Sequence, residues 1–230
     1  AEITTRDIDR RNFPHFLLKE IFESPQSFEK TLRGNLLNEN GSFRVAHSDT
    51  EFPSSIREKL ENHTIDKIYI VGQGTAAVAG QALSQYLSEE TEISVESIPS
   101  TELSGFKLST DMSNVLVVAI SQSGTTTDTN RTVDLVRGRG ASVIAIVNRR
   151  NSDLSQKADG VIYTSDGRDI EMSVASTKAF YSQVAASILL GISIRDHAIS
   201  EPNDSLTHEN RQTFLHELNE LPAKMVTVLK

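Results

Sequence analysis

The sequence predicts an α/β fold: a three-layer α-β-α sandwich around a central parallel sheet, preceded by N-terminal helices. Three observations carry this. Short apolar runs recur at residues 68–71, 115–120, 142–147 and 160–163, bounded by polar or glycine residues and too short for buried helices. Stretches of helical composition separate them. Two of the runs, ending at Val71 and Ile120, lead straight into turns rich in glycine and hydroxyl residues. Strands alternating with helices require a parallel sheet with helices on both faces.

In order along the chain, residues 1–64 read as an N-terminal helical segment that packs on the α/β domain of residues 65–230. Residues 16–22 suggest a short helix. Ser24-Pro25 restarts a second one, with Ser24 as N-cap and Pro25 at the first helical position. Phe28, Leu32 and Leu36 line one face of it. Residues 38–52 show no period and read as a loop, and 56–60 as another helix. From residue 67 the alternation begins: strand 68–72, helix 75–87, strand 92–98 ended by Pro99, strand 115–120, helix 127–136, strand 142–147, helix 152–158 and strand 160–163. An apolar helix over 176–191 and a helix over 206–230, broken near Pro222, complete the chain.

The 230 residues suffice to bury a substantial core. With no cysteine, neither a disulfide nor a thiolate metal site is available. No apolar run reaches the ~18 residues of a membrane span. The first five residues, Ala1-Glu2-Ile3-Thr4-Thr5, lack the pattern of a signal peptide, so a cytoplasmic location is expected. The net charge of −8 argues against a general nucleic-acid binder. The basic pairs Arg137/Arg139 and Arg149/Arg150 read as solvated loop charges.

Ligands of such sheets sit at the carboxyl ends of the strands, so the turns there carry the chemistry. Gly72-Gln73-Gly74-Thr75-Ala76-Ala77 matches G-x-G-x-x-[GA] between a strand and a helix. It admits three readings: glycines for tightness alone, a sugar-phosphate site, or a dinucleotide site with Glu96 on the ribose. The turn Ser121-Gln122-Ser123-Gly124-Thr125-Thr126-Thr127 discriminates better. It sets five hydroxyls before a helix whose first N–H groups lack internal partners and whose dipole favours an anion. An N-cap uses one hydroxyl, not five. The third turn, residues 171–180, opens the long helix with Ser176. Here Lys178 reads as a surface lysine or a phosphate ligand, and Glu171 as a sugar-hydroxyl acceptor or a solvated acid. The histidines, His15, His47, His63, His197, His208 and His216, show no metal-ligand spacing, and no cofactor or metal is expected.

Three segments together resemble a known family: residues 15–21, His-Phe-Leu-Leu-Lys-Glu-Ile; the turn Ser121-Gln122-Ser123-Gly124; and residues 174–180, Val-Ala-Ser-Thr-Lys-Ala-Phe. They are similar to the first half of the sugar-isomerase (SIS) region of the glutamine–fructose-6-phosphate aminotransferases, which make glucosamine-6-phosphate. The Ser-Gln-Ser-Gly turn marks SIS domains generally, and the other two segments point to this family. The resemblance implies a flavodoxin-like fold and sugar-phosphate contacts at Thr75, Ser121, Gln122, Ser123 and Thr126, with Val174 and Ser176 approaching the sugar. It implies fructose-6-phosphate or glucosamine-6-phosphate as ligand, and a glutaminase domain, a second SIS half and a second copy of the protein as partners. It places the catalytic acid, base and lysine outside this chain, so no catalytic residue is expected here. The sequence departs from the family at Gln73, Ala76, Thr125 and Ser173, which keeps open a second reading: a non-catalytic SIS sensor of an aminosugar phosphate.

Overall fold

The computed structural model describes residues 9–199 and 205–230. The N-terminal pentapeptide therefore lies outside the described residues, as does the side chain of His208. Five parallel strands form the central sheet: β3 (Lys67–Gly72), β4 (Ser94–Pro99), β5 (Val115–Ser121), β6 (Ser142–Val147) and β7 (Gly160–Tyr163). Their order is β4-β3-β5-β6-β7. The chain leaves β3 for one edge, returns to the other side of β3 and winds outward. That reversal is a topological switch point, and it falls between β3 and β5.

The predicted three-layer α/β architecture is the one observed. Strand β5 is buried along its whole length, as a central strand covered on both faces must be. Leu116, Val118 and Ile120 face a core shared with α2 (Ser54–Glu61), α3 (Thr75–Glu90) and α7 (Lys178–Ala198). Val117 and Ala119 face the opposite core, shared with α4 (Ser100–Phe106), α5 (Thr127–Arg137) and α6 (Asp153–Lys157). Helix α7 is buried on most of its surface. It packs on the sheet on one side and on α1 (Phe16–Leu32) on the other, where Phe28 and Leu32 meet Ala185 and Leu189.

Three readings of the sequence are corrected. Helix α1 is one continuous helix with Pro25 in its interior, so Ser24 is not an N-cap. Proline there leaves Ile21 O without its helical donor, and the Ser24 hydroxyl donates to the carbonyl one residue earlier, Glu20 O, at 3.0 Å. Burial of both halves outweighs the local cost. Residues 38–52 are not all loop: β1 (Leu36–Glu39) and β2 (Ser42–Val45) form an antiparallel hairpin. Its two-residue turn is Asn40-Gly41, both at positive φ (55° and 91°), the strongest short hairpin signal in the sequence. The hairpin buries Phe43 against Ile192 of α7 and Leu215 of α8 (Ser205–Val228). Helix α8 runs through Pro222 unbroken, because Leu218 and Met225, on either side of the proline, both pack against the same cluster.

Next to this hairpin, His47 Nδ1 lies 2.8 Å from the Ser193 hydroxyl, while its Nε2 is buried without a partner. Burial lowers the ring's pKa from 6.5 to about 4, against a smaller upward pull from Glu51. The folded state thus favours the neutral ring. Its contribution to stability is complete above pH 6.5 and is lost as pH falls toward 4. Chemical denaturation across that window should show stability falling with pH in the native chain, and a shallower fall in His47→Gln.

Candidate functional site

The switch point opens as a cleft of about 230 Å³. The structure brings all seven sequence-predicted residues to its walls: Thr75, Ser121, Gln122, Ser123, Thr126, Val174 and Ser176. Gln73, Ala76, Ile120, Glu171, Ser173 and Gln183 complete the lining. The cleft sits where the N-termini of α3, α5 and α7 approach one another. The N-cap residues of these helices, Gly74, Thr126 and Thr177, make no side-chain cap hydrogen bond.

The hydroxyl-rich turn is held by its outward-facing carbonyls. Gln122 O accepts from Asn148 N at 3.1 Å. Gly124 O accepts from Leu154 N at 3.0 Å and from Asn130 Nδ2 at 3.1 Å. Inside the turn, Ser121 Oγ accepts from the Gly124 N–H at 3.0 Å and lies 3.3 Å from the Thr126 hydroxyl. The N–H groups of Ser123 and Thr126 make no hydrogen bond among the described residues. Of the five hydroxyls expected at the mouth, three line the cleft. Thr125 turns back to donate to Ser123 Oγ at 3.0 Å, and Thr127 lies on the exposed helix. Gly124 has φ +64°, and a Cβ there would fall 2.1 Å from Ser152 Oγ. Only glycine allows this turn to pack so close to α6.

The first turn proves tight for packing reasons. A Cβ on Gly72 would lie 2.9 Å from the backbone of Ala76. Glu96, the candidate ribose ligand, pairs in register with Tyr69, three residues short of the Gly72↔Pro99 pair at the mouth, or about 10 Å down the strand. It is ion-paired to Lys107 and Lys67, and its pKa is lowered chiefly by the Lys107 hydrogen bond. The geometry therefore does not support the dinucleotide reading.

The third turn corrects two assignments. Glu171 is neither solvated nor free. Its Oε1 accepts from the Thr177 N–H at 2.6 Å, the Thr177 hydroxyl at 3.1 Å and the Ala179 N–H at 3.4 Å, while Oε2 accepts from the Ser176 hydroxyl at 3.0 Å. A carboxylate thus occupies the positive end of α7. Lys178 is neither a surface lysine nor a cleft residue. It is 4% exposed, and its Nζ lies 2.7 Å from Glu23 Oε2.

Glu23 also takes Lys19 Nζ at 3.2 Å, so one carboxylate of α1 holds two buried ammonium groups. Glu20, 1% exposed, accepts from the Ser173 N–H at 3.2 Å and from the Met172 N–H and Ser173 hydroxyl. Asp169 accepts from the hydroxyls of Ser27 and Ser165 and from Lys30 at 3.4 Å. Burial pushes its carboxyl pKa up, but these hydroxyls and the Lys178 and Lys30 charges outweigh that and leave it below its usual value. The segment carrying Val174 and Ser176 is therefore fastened to α1 by a buried polar network. In the sequence, Lys19 and Glu20 were legible as part of a short helix and of the family-like segment 15–21, and Glu23 only as the residue before the expected restart at Ser24.

Gln183, one turn after Ala179 in α7, was missed. The signal was a run of polar residues, Lys178, Ser182, Gln183 and Ser187, inside an otherwise apolar helix. The basic pairs stay away from the cleft: Arg137 bonds Asp159 at 2.9 Å and Arg150 bonds Asp166 O at 2.9 Å.

The comparisons with known proteins bear on the family and the fold. The SIS domain family matches residues 63–193. The chain belongs to the SIS domain family. The glutamine–fructose-6-phosphate aminotransferase (isomerizing) of Corynebacterium efficiens is 34% identical over 223 residues, covering 96% of this chain and 33% of that protein. The Thermus thermophilus enzyme of the same name is 30% identical over 227 residues, covering 99% and 34%. The SIS chain thus spans about a third of the length of these curated relatives. Among solved structures, the C-terminal domain of glucosamine-fructose-6-phosphate aminotransferase from Francisella tularensis superposes with a TM-score of 0.77 at 24% identity, covering 94% of this chain and 56% of that one. It shares the fold.

Three substitutions probe how the site is held. Glu23→Ala removes the ion-pair partner of the buried Lys19 and Lys178, leaving only the more distant Asp169 charge near Lys178, and should cost ~3–5 kcal/mol in denaturant unfolding. Gly124→Ala forces a Cβ onto Ser152 at positive φ. It should lower the melting temperature, whereas Thr125→Ala on the exposed side of the turn should not.

Proposed function

We propose that this SIS domain binds a hexose phosphate, fructose-6-phosphate or glucosamine-6-phosphate, as the first half of the isomerase region of a glutamine–fructose-6-phosphate aminotransferase. The observation that carries the reading is the meeting of two uncapped helix N-termini, those of α3 and α5, with the hydroxyls of Thr75, Ser121, Ser123 and Thr126 in one cleft. Free N–H groups and hydroxyl donors at helix N-termini suit a phosphate dianion without a lysine. Gln122 then lies beside the phosphate, and Val174 and Ser176 lie along the sugar. The likeness to the curated aminotransferases over nearly the whole chain supports the same reading.

The cleft is suited to holding a ligand rather than transforming it. Among the described residues, its one titratable lining residue is Glu171, whose oxygens are already occupied by the start of α7, and no histidine or lysine lines it. Ring opening and proton transfer between adjacent carbons need an acid and a base within reach. In this reading they come from a second SIS half, and ammonia from a glutaminase domain of the parent protein, which works as a cytoplasmic homodimer. The lack of a free acid or base equally favours the second reading, a non-catalytic SIS sensor of an aminosugar phosphate. The two separate on whether the parent gene encodes a glutaminase domain.

Titration calorimetry should show binding of fructose-6-phosphate and glucosamine-6-phosphate and none of NAD. Ser123→Ala combined with Thr126→Val should weaken hexose-phosphate binding at least tenfold, since each lost charge-assisted bond is worth ~1.5–3 kcal/mol. An unchanged dissociation constant would remove the phosphate assignment. Fructose-6-phosphate should not turn over on the isolated chain.

A further inference from the structure

We propose that Gln183 is a specificity-determining residue: its carboxamide, unpartnered at the cleft wall, hydrogen-bonds a hydroxyl on the sugar part of the ligand. The inference rests on the hexose-phosphate reading above and assigns the end of the cleft opposite the phosphate. Gln183 is 2% exposed, and its Oε1 is buried without a hydrogen-bond partner. Among the described residues, six buried side-chain atoms lack a partner, and Gln183 Oε1 belongs to the one residue of that group that lines the cleft.

The other members of the group have local explanations or lie elsewhere. The Ser182 and Ser187 hydroxyls sit in a helix, where such a group can rotate onto a carbonyl of the preceding turn. Asn130 leaves its Oδ1 unpaired but uses Nδ2 to tie Gly124 O and Thr126 O. Thr164 and His47 line neither wall of the cleft. Gln183 has no such outlet. A carboxamide carries two N–H donors and two acceptor lone pairs, and the Gln183 Oε1 acceptor finds no donor among the described residues. A volume-matched leucine would fill the same space at lower cost, so the amide is explained by what enters the cleft.

The charge pattern selects the partner. The three helix N-termini at the cleft differ: those of α3 and α5 have no side-chain cap, whereas that of α7 already holds the Glu171 carboxylate. Ala179, whose N–H faces Glu171, stands one turn before Gln183 on the same side of α7. An anion at the Gln183 end would meet that carboxylate, so the phosphate goes to the α3 and α5 end. The group facing Gln183 is then neutral and polar. A hydroxyl, donor and acceptor at once, matches a carboxamide.

Gln183→Leu tests this with two readouts on the 230-residue chain. If the amide serves the ligand, the free variant melts at or above the wild-type temperature, because an unsatisfied buried group has been removed. At the same time its dissociation constant for fructose-6-phosphate rises at least tenfold, while that for inorganic phosphate changes less than twofold. Two results would overturn the proposal: wild-type affinity for fructose-6-phosphate in the variant, or a lower melting temperature with both ligands weakened alike, which marks a structural residue. If the wild-type chain itself binds fructose-6-phosphate no more tightly than inorganic phosphate, the hexose-phosphate reading fails first and takes this inference with it.

Discussion

One carboxylate, that of Glu23, is the constraint on which the binding end of the molecule depends. It neutralises two lysines that burial would otherwise make very costly, one on its own helix and one at the start of α7. Glu20, one turn earlier, takes the backbone of the segment before α7, and Asp169 fixes the other end of that segment to Ser27 and Lys30. The sheet and its helices supply the floor of the cleft. Helix α1 supplies the position of its third wall. The Lys-Glu-x-x-Glu pattern at the head of α1 is thus tied to Ser173 and Lys178 by geometry.

The same economy governs the helix ends. A doubly wound sheet delivers several helix N-termini to one mouth, and each is a potential anion site. This chain leaves two without side-chain caps and fills the third with its own carboxylate. Under the proposed function, a single phosphate then meets two open helix ends rather than three competing ones. The departure at Thr125 from the family pattern does not disturb this, because that side chain points outward and bonds Ser123. Ala76 lines the wall with a methyl group and contributes no donor.

Much of this was legible in the sequence. The parallel strands and the helices between them follow from apolar runs of the right length, and the switch point follows from their order once the sheet is known. The residues of the hydroxyl-rich turn were legible because an uncapped helix start leaves few alternatives for so many donors. The errors share one cause. Pro25 and Pro222 were read by local rules, and tertiary burial on both sides of each proline overrode them. Glu171 and Lys178 were each read as either a ligand contact or a solvated charge, because charged residues are seldom buried. Their true partners lie on a helix more than a hundred residues away, or at a backbone that local pattern does not orient. Gln183 was hidden inside an apolar helix. Asn40-Gly41 was a readable hairpin signal passed over because the flanking runs are short.

The bonds from Glu20 to Ser173 close a loop of 153 residues. Contacts of such separation bring no gain until the intervening chain is already compact, and the entropy of closing them favours their late formation. The wall of the cleft is therefore assembled after the sheet that supports it. A chain with its secondary structure complete and α1 still undocked has the strands, the turns and the helix ends, and an open cleft without its third wall. Closure of that wall, more than helical content, marks the end of folding.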